Sequence, residues 1–142
     1  MSLVLDASMA LAWHLKRVDA AEARLARKAL EQVSREGALV PALWFAEMAN
    51  ALLMAERNGA TDEYGAGQFQ DDLAQLGIEA DSFPPAQSAR NVLRLGRASK
   101  LTAYDATYLE LALRTGSTLA TFDKRLAIAA RRAGIRVLGQ AG

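Results

Sequence analysis

Short apolar runs alternate with longer stretches of helical periodicity along the chain. The apolar runs predict strands at 2–5, 38–40, 78–81, 119–121 and 135–138. The periodicity of 3.6 residues, with its caps and glycine stops, predicts helices at 8–15, 19–36, 41–58, 61–76, 85–98, 103–115 and 124–133. Short apolar strands flanked by helices favour an α/β fold, a three-layer sandwich around a mainly parallel sheet. The length of 142 residues fits a single domain over 1–142.

Two aspartates follow apolar runs in the same way. Asp6 comes directly after Leu3 to Leu5, and Asp123 comes after the run that ends at Phe122. The carboxyl ends of parallel strands meet at one edge of a sheet, where ligands bind in this fold class. The two carboxylates can therefore face one crevice and form half of a metal site. An equal alternative is that each is an N-cap, whose side-chain oxygen accepts a backbone N–H.

Two further acids stand out at helix positions. Glu47 lies in the otherwise apolar helix LWFAEMANALL, where a charge is seldom fully buried without a partner. Asp105 lies at the start of the helix in LTAYDATYLELA, where the positive end of the helix dipole favours a carboxylate. Both have structural alternatives: Glu47 can pair with a basic side chain at the rim, and Thr102 with Asp105 fits a capping box. Taken together, the four acids predict a carboxylate cluster at one edge of the sheet.

Composition excludes several kinds of chemistry. The chain has no cysteine, which excludes disulfides, cysteine nucleophiles and thiolate metal sites. Its single histidine, His14, excludes a histidine-rich zinc centre and is assigned no role. No apolar run approaches the roughly 18 residues that span a bilayer, and the N-terminus lacks the basic start of a signal peptide. The sequence therefore predicts a cytoplasmic protein without membrane contact.

Four stretches carry a family resemblance over nearly the whole chain: LVLDASMALAW, VPALWFAEMANAL, LTAYDATYLELALRTGSTLATFDKRL and AGIRVL. In them the chain resembles the PIN-domain ribonucleases, most closely the VapC toxins of toxin–antitoxin pairs. The resemblance implies a PIN-like α/β/α sandwich in which four acids hold a divalent metal. Those positions fall on Asp6, Glu47, Asp105 and Asp123.

The resemblance also implies three polar neighbours of the acids, at Ser8, Asn50 and Thr121. Ser8 and Thr121 would orient carboxylates or waters, or, as an equal alternative, bond to the backbone at a turn. A carboxylate cluster without soft ligands suits Mg²⁺, with Mn²⁺ as a second candidate. Such ions lower the pKa of a bound water and bind the attacked phosphate. The expected activity is therefore that of a metal-dependent endoribonuclease, which hydrolyses RNA phosphodiester bonds.

The charge outside the cluster suits a protein that binds RNA. The chain carries 17 basic and 16 acidic residues, so setting four acids aside leaves 12 acids and an excess of five positive charges. Arg90, Arg94 and Arg97 are spaced by four and three, which places them on one helix face, and Lys100 follows. These are candidate RNA-binding residues. The alternative is a solvated face without a ligand.

Protein partners follow from the resemblance as well. VapC-like toxins are neutralised by a cognate antitoxin whose tail lies along a groove near the acids, and they commonly form homodimers. The apolar side chains that an antitoxin helix would cover here are Trp13, Leu15, Trp44 and Phe45.

Two other functions stay open at this point. One is a non-catalytic PIN-shaped module that binds RNA or protein without cleaving it. The other is an aspartate-based phosphatase or phosphotransfer domain. The paired acids typical of such sites are missing after the first strand, which is followed by Asp6-Ala7-Ser8. Metal-dependent cleavage of RNA separates these functions.

Overall fold

The structure, a computed structural model, describes residues 2–139. Its strands are β1 (Leu3–Leu5), β2 (Ala38–Val40), β3 (Ile78–Ala80) and β4 (Thr118–Ala120). Its helices are α1 (Ala7–Leu11), α2 (Ala20–Glu36), α3 (Leu43–Arg57), α4 (Glu63–Ala74), α5 (Pro85–Ser99), α6 (Ala103–Thr115) and α7 (Lys124–Arg132). No helix in this part of the chain is long and apolar enough to cross a membrane.

The four strands form one sheet in the order β3-β2-β1-β4, with every neighbouring pair parallel. Val4 in β1 pairs with Leu39 of β2 on one side and with Leu119 of β4 on the other. All three side chains of β1 and all three of β4 are buried. Successive residues of a strand point to opposite faces, so helices cover both faces of the sheet. The predicted α/β/α sandwich with a parallel sheet is confirmed.

The fifth predicted strand, at 135–138, is wrong in extent. Only Val137 pairs with β4, through an isolated parallel bridge to Leu119. The Ile135 N–H donates instead to the carbonyl of Ala130 near the end of α7. The extended run that remains after this turn is too short for a ladder.

The buried side of α6 brings its first turn to the sheet. The helix packs against β1, and six of its thirteen residues are buried. Thr102 caps its N-terminus, because its hydroxyl oxygen accepts the N–H of Asp105 at 3.2 Å. The packing of α6 therefore fixes the place of Asp105.

Gly37 is expected to be the least replaceable glycine of the sheet connections. It follows α2 at φ 77° and ψ −171°, and a Cβ there would lie 2.5 Å from the carbonyl oxygen of Gly77. That oxygen is held in place by the N–H of Ala38 at 2.9 Å. Gly37→Ala should lower the free energy of unfolding by about 2–4 kcal/mol, through backbone strain and displacement of β2 from β3.

Gly59→Ala is the matched control in urea unfolding. Gly59 has a similar φ of 81°, but nothing lies within 4 Å of an added Cβ. Its loss of stability should stay near about 1 kcal/mol, the cost of the left-handed backbone alone. Equal losses in the two variants would contradict the role of the Gly77 carbonyl.

Candidate active site

Asp6 and Asp123 lie at the carboxyl ends of neighbouring strands. Asp6 directly follows β1, and its N–H donates to the carbonyl of Ala120 at the end of β4, at 2.9 Å. Asp123 comes three residues after Ala120. The sheet therefore brings together the two aspartates that are 117 positions apart in the chain.

Two hydroxyls hold the Asp6 carboxylate. Ser8 Oγ donates to Asp6 Oδ2 at 2.8 Å, and Thr121 Oγ1 donates to the same oxygen at 2.5 Å. Asp6 is 6% exposed, yet its side chain makes no capping bond to α1. The capping alternative is therefore wrong for Asp6, and Asp6 Oδ1 has no side-chain hydrogen bond within residues 2–139.

The same hydroxyls also fix the turn after β4. Ser8 Oγ accepts the N–H of Phe122 at 3.0 Å, and Thr121 Oγ1 accepts the N–H of Asp123 at 2.9 Å. The two roles considered for these hydroxyls, orienting a carboxylate and bonding to the backbone at a turn, are therefore both observed, since each hydroxyl does both. Asp123 Oδ1 accepts the N–H of Leu126 at 3.0 Å and caps α7. The capping alternative is correct for Asp123, but the cap uses only one of its two oxygens.

Glu47 reaches the same neighbourhood from α3. It is half-buried, and its Oε1 accepts the hydroxyl of Tyr108 at 2.5 Å. The side chain of Tyr108 is fully buried in α6, and burial raises the pKa of its hydroxyl far above the usual value, so it stays a donor. No ion pair in the described part of the chain involves Glu47, so the basic partner considered for it is not found there.

Tyr108 is the one side chain at this site that sequence reasoning missed. It lies one turn after Asp105 on α6, and the only signal in the sequence was a hydroxyl on an otherwise apolar face. The capping box at Thr102 is half formed. The Asp105 N–H bonds to Thr102, but within residues 2–139 the Asp105 carboxylate makes no reciprocal bond. The Asp105 carboxylate is therefore not engaged in capping its own helix.

The charges of the four acids act on one another. Burial raises the pKa of Asp6, and the charge of Asp123 adds to the effect. Burial likewise raises the pKa of Glu47, with the charges of Asp6 and Asp105 adding to it. Burial also raises the pKa of Asp105, helped by Asp123 and Asp6. The predicted acids therefore share one neighbourhood, and no salt bridge within residues 2–139 includes any of them.

The donors fit a hard divalent cation in type and in charge. Their ligating atoms are carboxylate oxygens, which Mg²⁺ and Mn²⁺ prefer. Across residues 2–139, however, no three such side chains already converge at the spacing of a finished metal site. A bound cation would have to draw some of these side chains closer. It would not have to contact all of them directly, because Mg²⁺ keeps several waters of hydration that can bridge to a carboxylate.

The remaining predicted residues lie around this cluster. Asn50, one turn after Glu47 on α3, is exposed, and its side chain makes no hydrogen bond within the described range. Trp13 is half-buried and donates its indole N–H to the carbonyl of Ala26 at 2.8 Å. Trp44 is buried beside the half-exposed Phe45. The predicted basic residues are all exposed, on α5 and just after it: Arg90, Arg94, Arg97 and Lys100.

Comparisons with known proteins agree with the fold. A family model described as PIN domain matches residues 3–132. The structure is similar to that of PAE2754 from Pyrobaculum aerophilum, with 25% identity, a TM-score of 0.71, and coverage of 97% of this chain and 91% of that one. It is also similar to FitAcB from Neisseria gonorrhoeae, with 16% identity, a TM-score of 0.63 and 96% coverage of both chains. A search of curated proteins finds no match.

The metal-free protein is expected to lose stability as the pH rises from about 4 toward neutrality. The pKa values of Asp6, Glu47 and Asp105 are higher in the folded chain than their ordinary values of 3.8 for Asp and 4.5 for Glu. Between the ordinary and the raised values the folded state binds more protons, so the free energy of unfolding falls as the pH rises. Above the raised values this loss is complete.

Asp6→Asn isolates the contribution of Asp6. In EDTA at neutral pH the free energy of unfolding of the variant should exceed that of the parent by about 1 kcal/mol or more, because a buried charge has been removed. Its stability should also depend less on pH than that of the parent. Urea unfolding across the acidic and neutral range measures both quantities. A variant with the pH dependence of the parent would show that Asp6 does not carry the effect.

Proposed function

The chain belongs to the PIN domain family, and we propose on that premise that it is a Mg²⁺- or Mn²⁺-dependent endoribonuclease. Membership of this family supports a nuclease, a hydrolase that acts on nucleic acids, over a phosphatase or phosphotransfer domain. RNA as the substrate and a divalent metal as the cofactor are part of the proposal.

One observation carries the proposal: four acids lie in one neighbourhood, and none has a basic partner within residues 2–139. Burial and neighbouring negative charge, part of it from Asp123, raise the pKa values of Asp6, Glu47 and Asp105. Such an arrangement costs stability unless a cation from solution offsets it. It is therefore suited to a bound metal and poorly suited to a purely structural role.

The residues divide the work of the reaction between them. The four carboxylates would hold the metal, which when bound supplies an activated water and charge stabilisation at the phosphate. Ser8 and Thr121 orient Asp6 through its Oδ2, and Tyr108 orients Glu47 through Oε1. The cap at α7 fixes Asp123. Cleavage would also require that the RNA strand be placed over this cluster.

The proposal includes the role of a toxin in the cytoplasm with a cognate antitoxin. An apolar groove of about 280 Å³ lies between α3 and α4, lined among others by Trp44, Phe45 and Ile78. Phe45 is 49% exposed, and the buried indole N–H of Trp44 has no partner in the described part of the chain. An amphipathic antitoxin helix would cover the groove. A homodimer of this chain is proposed on the family resemblance alone.

Asp123→Asn is expected to abolish most RNA cleavage while it preserves the fold. Asn caps a helix about as well as Asp, so α7 should remain intact. The loss of a ligand carboxylate should reduce Mg²⁺-dependent cleavage of single-stranded RNA by about 100-fold or more. EDTA should abolish cleavage by the parent, and excess Mg²⁺ should restore it.

Asp19→Asn is the matched control. Asp19 caps α2 through Glu22 N–H at 2.9 Å, just as Asp123 caps α7. Its variant should cleave like the parent and, when expressed in a bacterial host, should slow growth like the parent, whereas Asp123→Asn should do neither. Normal cleavage by Asp123→Asn, or by the parent in EDTA, would overturn the metal-site assignment. Active but harmless parent enzyme would overturn the toxin role alone.

The basic face of α5 is proposed to hold the RNA backbone. Arg90, Arg94 and Arg97 form no salt bridge within residues 2–139. The end of α5 lies against the start of α6, since a Cβ added at Gly96 would come within 3.8 Å of Ala106 Cβ. The C-terminal end of α5, which carries Arg97, is therefore close in the fold to the first turn of α6, which carries Asp105.

Replacing Arg90 and Arg94 with Gln should weaken RNA binding and flatten its salt dependence. Each phosphate of single-stranded RNA that is no longer neutralised lowers the log–log salt slope by roughly 0.7, so the pair should lower it by roughly 1.4. Titrations in EDTA measure binding without cleavage. The control is the replacement of Arg131 and Arg132, an exposed pair at the far end of α7 from Asp123. Equal slopes for the two double variants would assign α5 to a solvated face.

A further inference from the structure

The hydrogen bond between Tyr108 and Glu47 joins two elements that are far apart in the chain. Tyr108 belongs to α6 and is 0% exposed, so neighbouring core side chains fix its ring. Glu47 belongs to α3, 61 positions earlier, and is only half-buried. The hydroxyl is thus a fixed point, and the carboxylate is the part that can move.

Little else in the described structure keeps Glu47 near the other acids. Within residues 2–139 its only side-chain hydrogen bond is the one to Tyr108. Its helix neighbours Ala46 and Asn50 are exposed, so open space lies beside it. Glutamate loses considerable rotamer entropy when it is held in one conformation, and the charges of Asp6 and Asp105 oppose its approach. Without the hydroxyl, the carboxylate would turn toward solvent.

We propose that Tyr108 is a positioning residue, whose hydroxyl holds Glu47 on the side of the acid cluster, so that a divalent cation has less far to move this carboxylate when it binds. This inference rests on the proposed function. A neutral donor suits the task, because it orients the carboxylate without cancelling its charge. A lysine or arginine in its place would hold Glu47 equally well but would compete with the cation. The hydroxyl bonds to Oε1, and no other residue within 2–139 bonds to Oε2, so Oε2 can act as a ligand.

A purely structural role for this hydrogen bond makes a different prediction. Glu47 would then serve only to satisfy a buried hydroxyl, and loss of the bond would lower stability without changing the affinity for metal. Metal affinity and stability must therefore be measured separately, and both measurements are independent of RNA cleavage.

The test is Mn²⁺ binding to the parent, Tyr108→Phe and Tyr104→Phe, measured by isothermal titration calorimetry. Tyr108→Phe removes the hydroxyl and keeps the ring, and loss of such a supporting bond should weaken Mn²⁺ binding about 10-fold or more. Tyr104 lies one turn earlier on α6 but is 67% exposed, so Tyr104→Phe should bind Mn²⁺ like the parent. Urea unfolding in EDTA measures the stability of each protein.

Glu47→Gln then shows whether Tyr108 acts through Glu47. In a Glu47→Gln background, Tyr108→Phe should produce no further loss of Mn²⁺ affinity. Unchanged affinity in Tyr108→Phe, or an equal loss with and without Glu47, would overturn the inference and leave the proposed function standing. A parent that binds no Mn²⁺ would overturn both.

A measurement on the parent protein covers the case in which Tyr108→Phe does not fold. The chain has three tyrosines, so ¹³Cζ-tyrosine labelling gives three signals. The Tyr108 signal should move on titration with Mg²⁺, with the dissociation constant found by calorimetry, because the cation polarises the carboxylate to which the hydroxyl donates. The signal of Tyr64, 76% exposed on α4, should stay in place. A Tyr108 signal that Mg²⁺ leaves unmoved would overturn the positioning role.

Discussion

The carboxylates at one edge of the parallel sheet repel one another, and the rest of the fold must offset this repulsion. The backbone bond from Asp6 to Ala120 sets the ends of β1 and β4 side by side, and this places Asp6 and Asp123 in one neighbourhood. Hydrogen bonds from uncharged groups hold three of the acids in place. Two hydroxyls donate to Asp6, a backbone N–H donates to Asp123, and the phenol of Tyr108 donates to Glu47. The fold thereby maintains a concentration of negative charge that its own energetics disfavour.

The cost of this arrangement is offset by a scaffold of short, buried strands. β1 and β4 contribute only three residues each, but every one of these residues is buried. Burial of apolar side chains on both faces of the sheet supplies favourable free energy of folding, which offsets the repulsion among the acids. Because that burial ends where β1 and β4 end, the acids lie at the boundary between core and solvent. They are buried enough to interact strongly and open enough for a ligand to reach them.

The sequence allowed the elements and the acids to be predicted, because apolar runs, glycine stops and a family resemblance all mark them locally. It did not allow the two possible roles of an aspartate to be separated. Asp6 and Asp123 follow similar runs, yet only the side chain of Asp123 caps a helix, whereas that of Asp6 accepts the hydroxyls of Ser8 and Thr121. The hydrogen bond between Tyr108 and Glu47 depends on where the fold places α6 relative to α3, and no spacing within either helix encodes it.

Two acids outside the cluster pair with an arginine, unlike the four acids of the cluster, and this contrast supports the assignment of the cluster. Asp81, just after β3, and the buried Glu110 both bind Arg114, at 2.5 and 2.6 Å. These two bonds raise the pKa of the guanidinium, and each of the two carboxylates has a cationic partner within the chain. The chain therefore has the means to neutralise an acid held next to its sheet, and it uses them at Asp81. At the cluster only neutral donors orient the acids within residues 2–139, so no basic side chain there offsets their negative charge, and this is the condition that the proposed metal site requires.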